Sequence, residues 1–350
     1  MGKYSGWKAL ISVVMAFLIS GCGGGSASID LGRIALSNDG TRVFVADQGL
    51  RGLRILDISD AAQPELLGKA GSEEIGSSRT ADIVVSADGS RAYVSVYDDY
   101  APLFNVGGNL VAFDVSDVSS PRQIGSYRTS DRQDAFTAPL ALSPDSERLF
   151  GTHRGGMLSV FDVSGSGDPI VLKEHDVSAY GACSVHPDGH RVYCGDRILD
   201  PDAVTDIPVE NPSLYGAKAQ AFSGSGDRMV LADYSHLIVE RGYIDIFDTS
   251  DPDDPTVLDR YSEDDATYVD VAFAPDGSKV YLLNEDKGVQ ILTVDATGTP
   301  TKVAQYDWEG ARGLALSGDG GTLYVTAGTK GMRILDIHDP ANIRLLGEYK

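Results

Sequence analysis

The chain has 350 residues, with 51 acidic side chains against 29 basic ones for a net charge of −22, and it carries 40 glycines and 15 prolines. A field of that sign repels phosphate backbones, which excludes nucleic acid as an expected partner, while cationic partners and divalent ions remain compatible. The same acidic excess also serves the solubility of an exported protein, and short apolar stretches between so many Gly and Pro residues suit an all-β, turn-rich architecture.

In chain order, the first element is a leader. Lys3 and Lys8 form a basic segment, residues 9–19 an apolar run, and Ser20-Gly21-Cys22 a small-residue cleavage site, followed by Gly23-Gly24-Gly25-Ser26-Ala27-Ser28. The apolar run falls well short of the roughly 20 residues needed to span a bilayer, so a cleaved signal is expected rather than a retained helix. Leu18-Ile19-Ser20-Gly21-Cys22 resembles the bacterial lipobox, with Ile19 where Leu is commonest. That resemblance implies that the Cys22 thiol is diacylated and its freed amine acylated. Several chains on one cysteine give stable anchoring without a membrane crossing. Residues 23–28 then form a flexible tether. The same resemblance implies that the absence of Asp after the cysteine favours the outer membrane, with the protein facing the periplasm or the exterior. The expected organisation is a signal peptide over 1–21, lipidated Cys22 and tether over 22–30, and one repeat domain over 31–350. The net charge becomes −24 once Lys3 and Lys8 leave with the leader.

From residue 31 one phrase recurs: an apolar run, a Ser-Pro-Asp-Gly relative, a second run, a Gly-led third run ending in Asp, and a short fourth. Blade 1 reads Ile34-Ala-Leu-Ser37, Asp39-Gly40, Arg42 to Asp47, Gly52 to Asp57 and Pro64 to Leu67; blade 7 repeats it from Leu314 to Gly347. Units beginning near Ile83, Leu140, Cys183, Gln220 and Val271 complete a set of seven, and Asp57 and Asp336 stand six intervals apart. A repeat of this length with period-2 alternation is one four-stranded blade, and blades that cannot bury both faces alone must stack into a ring. The fold expected is therefore all-β, a seven-bladed β-propeller of antiparallel blades, closed without strand exchange because both terminal blades are complete in sequence order. Ala35, Val84, Ala141, Ser184, Ala221, Ala272 and Ala315 are the small column expected on the innermost strands. The column Asp57, Asp114, Asp162, Asp248 and Asp336, with Thr293 in blade 6, recurs too regularly to be a catalytic cluster and is assigned to turns.

Gly52-Leu-Arg-Ile-Leu-Asp-Ile-Ser-Asp60, Gly242-Tyr-Ile-Asp-Ile-Phe-Asp-Thr-Ser-Asp-Pro252 and Gly331-Met-Arg-Ile-Leu-Asp-Ile-His-Asp-Pro340 resemble LVIVD repeats. The resemblance covers about residues 31–350 and is weakest in blade 4, where Arg197-Ile-Leu-Asp200-Pro201 is a stunted third strand. It implies a surface or exported propeller and brings no catalytic residues with it.

No nucleophile elbow, zinc-protease, P-loop, C-x-x-C or EF-hand motif occurs. Cys183, His186, His190 and Cys194 have a metal-like spacing, but odd separation along a strand sends Cys183 and His186 to opposite faces. In the hairpin centred between Asp188 and Gly189, Cys183 and Cys194 are cross-strand partners. They are expected either to form a disulfide in an oxidising compartment or to serve as plain apolar packing, as Val271 and Leu282 do in blade 6. The six scattered histidines fit satisfied surface or turn positions, and the acidic knots at Asp251 to Asp254, Glu263 to Asp265 and Asn284 to Asp286 fit either solvated loops or calcium ligands. No other cofactor is implied.

The one long insertion, Val96 to Asn105, joins the second and third strands of blade 2 and offers Tyr97, Asp98, Asp99, Tyr100 and Phe104. Blade 5 adds His236 within Tyr234 to Arg241. These residues are candidates for a recognition lip, aromatics giving contact area at low entropic cost; the alternative is a lid over the channel. The function expected is a monomeric, membrane-anchored binding scaffold for an extracytoplasmic protein, peptide or glycan. The alternatives are a hydrolase or lactonase-type enzyme working at the channel mouth and a structural envelope component.

Overall fold

A computed structural model of the chain describes residues 29–72, 78–98, 109–129, 139–153, 157–176, 181–195, 197–200, 206–208, 217–235 and 241–350. Within them, seven sheets of four strands each follow chain order from the inside outwards, over residues 31–71, 78–128, 141–176, 183–208, 219–264, 268–306 and 313–349. Every pairing within a blade is antiparallel between consecutive strands, as in Ala35 opposite Phe44 and Phe44 opposite Ile55. The small column lies on the innermost strands, as read from the sequence.

The hydrophobic core is seven cores, one in each gap between neighbouring blades. Phe44, Leu53 and Ile55 of blade 1 meet Ile83, Val94 and Phe113 of blade 2, and the pattern continues round to Tyr324, Met332 and Ile334 of blade 7 against Leu31, Ile34 and Val43 of blade 1. Alternation along each strand therefore feeds two different cores, which is why both faces of the second and third strands are apolar and buried. The Gly that opens the third strand has a steric cause in blade 7. Gly331 sits at φ +93°, and a Cβ there would run into the Tyr349 carbonyl of its own outer strand. Gly347 on that outer strand leaves room for the backbone at Ala61 in the turn of blade 1.

The first turn is built alike in blades 1, 2, 3 and 7. In blade 1 the Ser37 hydroxyl donates to Asp39 (2.5 Å), and Asp39 accepts the Thr41 amide (3.0 Å). The recurrent third-strand carboxylates do the same work at the second turn, Asp57, Asp114, Asp162 and Asp248 each accepting a serine amide and hydroxyl two residues on. A cation beginning the second strand then staples one blade to the next. Arg91 donates to the carbonyls of Val163 (2.7 Å) and Gly165 (2.5 Å) in blade 3, Arg191 pairs with Asp253 in blade 5, and Arg228 donates to the carbonyls of Asp295 (2.8 Å) and Ala296 (3.0 Å) in blade 6. The ring closes without strand exchange: the inner strand Leu31–Leu36 pairs within blade 1, and blade 7 supplies its own outer strand Arg344–Tyr349. Contact across the closure runs through the Leu31 to Gly328 bridge and the Thr326 hydroxyl donating to the Gly32 carbonyl (2.5 Å).

Candidate functional site

The inner strands begin, and the second strands end, at one face of the ring, here termed the mouth; the aspartate turns occupy the opposite face. Towards the mouth, the position two residues before the small column is Pro139 in blade 3, Ala182 in blade 4, Ala219 in blade 5 and Gly313 in blade 7, but Arg33, Asp82 and Asp270 in blades 1, 2 and 6. In those three blades the pairing with the second strand is interrupted at this point, between Leu31 and Ile34, Thr80 and Asp82, and Tyr268 and Asp270. A local irregularity of this kind re-aims a side chain, and here it coincides with a charge each time.

Arg33 reaches from blade 1 to blade 6. Its guanidinium donates to the Asp270 carboxylate (2.7 Å), to the Val269 carbonyl (2.5 Å) and to the Lys218 carbonyl of blade 5 (3.4 Å). The second oxygen of Asp270 accepts the Leu314 amide (3.0 Å), and Asp82 accepts the Leu140 amide (2.7 Å). Each carboxylate thus ties its own blade to the next. Burial pushes Asp82 up to about 6 against the opposing pull of Arg33, and Asp270 is raised for the same reason. Nearby, burial lowers Lys218 from its ordinary value and lifts Asp233 to about 6.

Behind this first layer, the mouth end of the blades carries buried polar pairs where the alternation calls for apolar residues. Arg54 pairs with Asp47 in the interior, and the buried Asp245 is gripped by Arg260, which stands exposed on the outer strand of blade 5, in two bonds of 2.6 and 2.7 Å. The His153 ring lies 2.7 Å from the Ser159 hydroxyl. Burial works against the charge on Glu263, yet hydrogen bonds from Lys287, Tyr261 and Lys302 hold it at about 2. Thr80 Oγ1, Asn109 Oδ1, Asn284 Nδ2 and one Arg54 nitrogen are buried at this end without a hydrogen-bond partner. Buried polar atoms left unsatisfied are costly and call for an explanation such as a ligand or water.

The sequence-level candidates divide. The second strand of blade 2 runs Arg91–Asp98, pairing Tyr97 with Arg79 and Asp98 with Ser78, so Tyr97 and Asp98 belong to the strand. Asp99, Tyr100, Phe104, His236 and Cys22 lie outside the described residues. Cys183 and Cys194 stand opposite one another and are disulfide-linked within the core between blades 3 and 4. His186, from the metal-like set, instead contacts the Gly226 carbonyl (2.8 Å) and Asp188 (2.8 Å). The acidic knots are engaged by cations or backbone: Asp253 by Arg191, Glu263 by Lys287 and Lys302, Asp264 by Arg241, and Asn284 by the amides of Asp286 and Lys287. Among the described residues no three His, Cys, Asp or Glu side chains are grouped to hold a metal. Sequence reading missed Arg33, Asp82 and Asp270; their signal was charge at a column position that is small or apolar in the other blades.

The LVIVD repeat family matches residues 33–70, 88–129 and 310–350, which fall on blades 1, 2 and 7. No curated protein matches the sequence. Among solved structures, the fold is similar to a chain of a mitotic checkpoint complex (15% identity, 88% of this chain and 90% of that one, TM-score 0.65). It is also similar to a putative 6-phosphogluconolactonase from Bacteroides fragilis (16%, 91% and 94%, TM-score 0.65). A third similarity is to Kuenenia stuttgartiensis hydrazine synthase (18%, 73% and 76%, TM-score 0.56). At these identities the likeness concerns the fold alone.

Proposed function

We propose that this LVIVD-repeat β-propeller is a binding scaffold of the cell envelope, lipid-anchored at Cys22 on the outer membrane and acting as a monomer outside the cytoplasm. The ligand is a protein, peptide or glycan recognised at the channel mouth. The observation that carries the reading is the concentration of buried charge and unsatisfied polar atoms, on Arg33, Asp82, Asp270, Thr80 and Asn284, at the face where the second strands end. A polar, partly desolvated surface of this kind gains from a partner that completes its hydrogen bonds. The opposite face is occupied by turns whose carboxylates are already used internally.

Affinity capture from an envelope extract tests the proposal, comparing the intact protein with a variant lacking residues 99–105. A discrete partner retained by the first and lost by the second, with unchanged β-sheet circular dichroism, is the expected result. Equal capture by both would overturn the assignment of the ligand to this face.

A further inference from the structure

We infer that the anchored propeller stands with its channel mouth turned towards the bilayer and its aspartate-turn face turned outwards; this rests on the Cys22 anchor proposed above. Two independent observations point the same way. The first is where the chain leaves the ring. Asp30 is held at the mouth, its carbonyl accepting the Gln48 amide (2.9 Å) and its carboxylate pairing with Arg312 of blade 7 (2.6 Å), and Leu31 opens the innermost strand. Six residues separate Cys22 from Ile29, seven steps along the chain with a reach of about 25 Å when fully extended. To present the other face to the membrane, the tether would have to cross three strand spacings outwards, about 14 Å, and then descend a six-residue strand, about 20 Å. The tether is too short for that path.

The second observation is charge. The turn face carries both series of turn aspartates, which their hydrogen bonds hold ionised: Asp39 and Asp88 at about 2, and Asp114, Asp162 and Asp248 below the ordinary value. The cation that begins the second strand keeps its charge on that face, but one stands against two turn aspartates, as Arg42 does against Asp39 and Asp57 and Arg91 against Asp88 and Asp114. At the mouth, by contrast, Arg33, Lys218, Arg312 and Lys330 offset the acids. An anionic membrane surface therefore repels the turn face and tolerates the mouth. A partner reaching the mouth must then be one held at the same membrane.

The test places a fluorophore on Thr329→Cys, exposed at the mouth, or on Ala87→Cys, exposed on a turn of blade 2, in the full lipidated protein reconstituted into phosphatidylcholine vesicles. A short-range acceptor is carried on a lipid headgroup. Transfer from position 329 is expected to exceed that from position 87 at least twofold. Equal or reversed transfer from protein that still floats with the vesicles overturns the orientation and leaves the anchor standing. Protein that fails to float, wild type and Cys22→Ala alike, overturns both.

Discussion

At the scale of single residues, Asp82 is the clearest case of a side chain placed against its own stability. Burial raises it from 3.8 to about 6. A carboxyl whose folded value lies above its unfolded one stabilises the fold below about pH 4 and loses that contribution as the pH climbs through 6. Asp82→Asn keeps an oxygen for the Leu140 amide and removes the charge, so it should raise stability at pH 7.5 by roughly 2–3 kcal/mol and change little at pH 4. Thermal unfolding of both proteins at the two pH values checks this; a loss of stability at pH 7.5 would mean that attraction to Arg33 outweighs burial. The turn carboxylates act oppositely. Asp39 and Asp88, held at about 2 by serine and threonine hydroxyls and amides, weaken the fold only as the pH falls below about 4. Together the two groups place the stability maximum of the wild type on the acidic side of neutrality, near pH 4–5, which a pH series of unfolding midpoints would locate.

At the scale of elements, blade 4 departs furthest from the repeat. Its four strands have three residues each, against six or seven in every strand of blades 1 and 6. So few ladder bonds hold a sheet weakly, and the Cys183 to Cys194 link joins its two inner strands inside the core shared with blade 3. Closing a loop of that length restricts the unfolded chain by about 3 kcal/mol in the chain-entropy account. Reduction, or Cys183→Ala with Cys194→Ala, should lower unfolding stability by about that amount and raise hydrogen exchange first in residues 183–208. An unchanged midpoint would show that packing alone holds the blade. Much of this was legible beforehand. The repeat, its strand order and the turn aspartates follow from alternation and from the spacing of Asp-Gly, because those features are local. The extension of the blade 2 strand through Asp98 was not legible, since its pairing with Ser78 spans a separation that periodicity does not encode. Nor was the stapling by Arg91 and Arg228, whose partners are backbone carbonyls in the following blade.

At the scale of the whole molecule, the ring turns a one-dimensional repeat into two unlike faces. Seven cores close the circle, the smallest between blades 4 and 5, and the inner-strand position two residues before the small column is free to vary. Charge at that position in blades 1, 2 and 6 converges only when the ring is closed. Arg33 and Asp270 are 237 residues apart in sequence and 2.7 Å apart in the fold. No local pattern signals such a meeting, although the column comparison marks each member. On this account a partner is recognised at the mouth. Photo-crosslinking in intact cells tests it most directly, with a photoreactive residue introduced in turn at Thr329 on the mouth and at Ala87 on the turn face. A discrete crosslinked partner from position 329 and none from position 87 is the result predicted; the same partner captured from position 87 alone would contradict it.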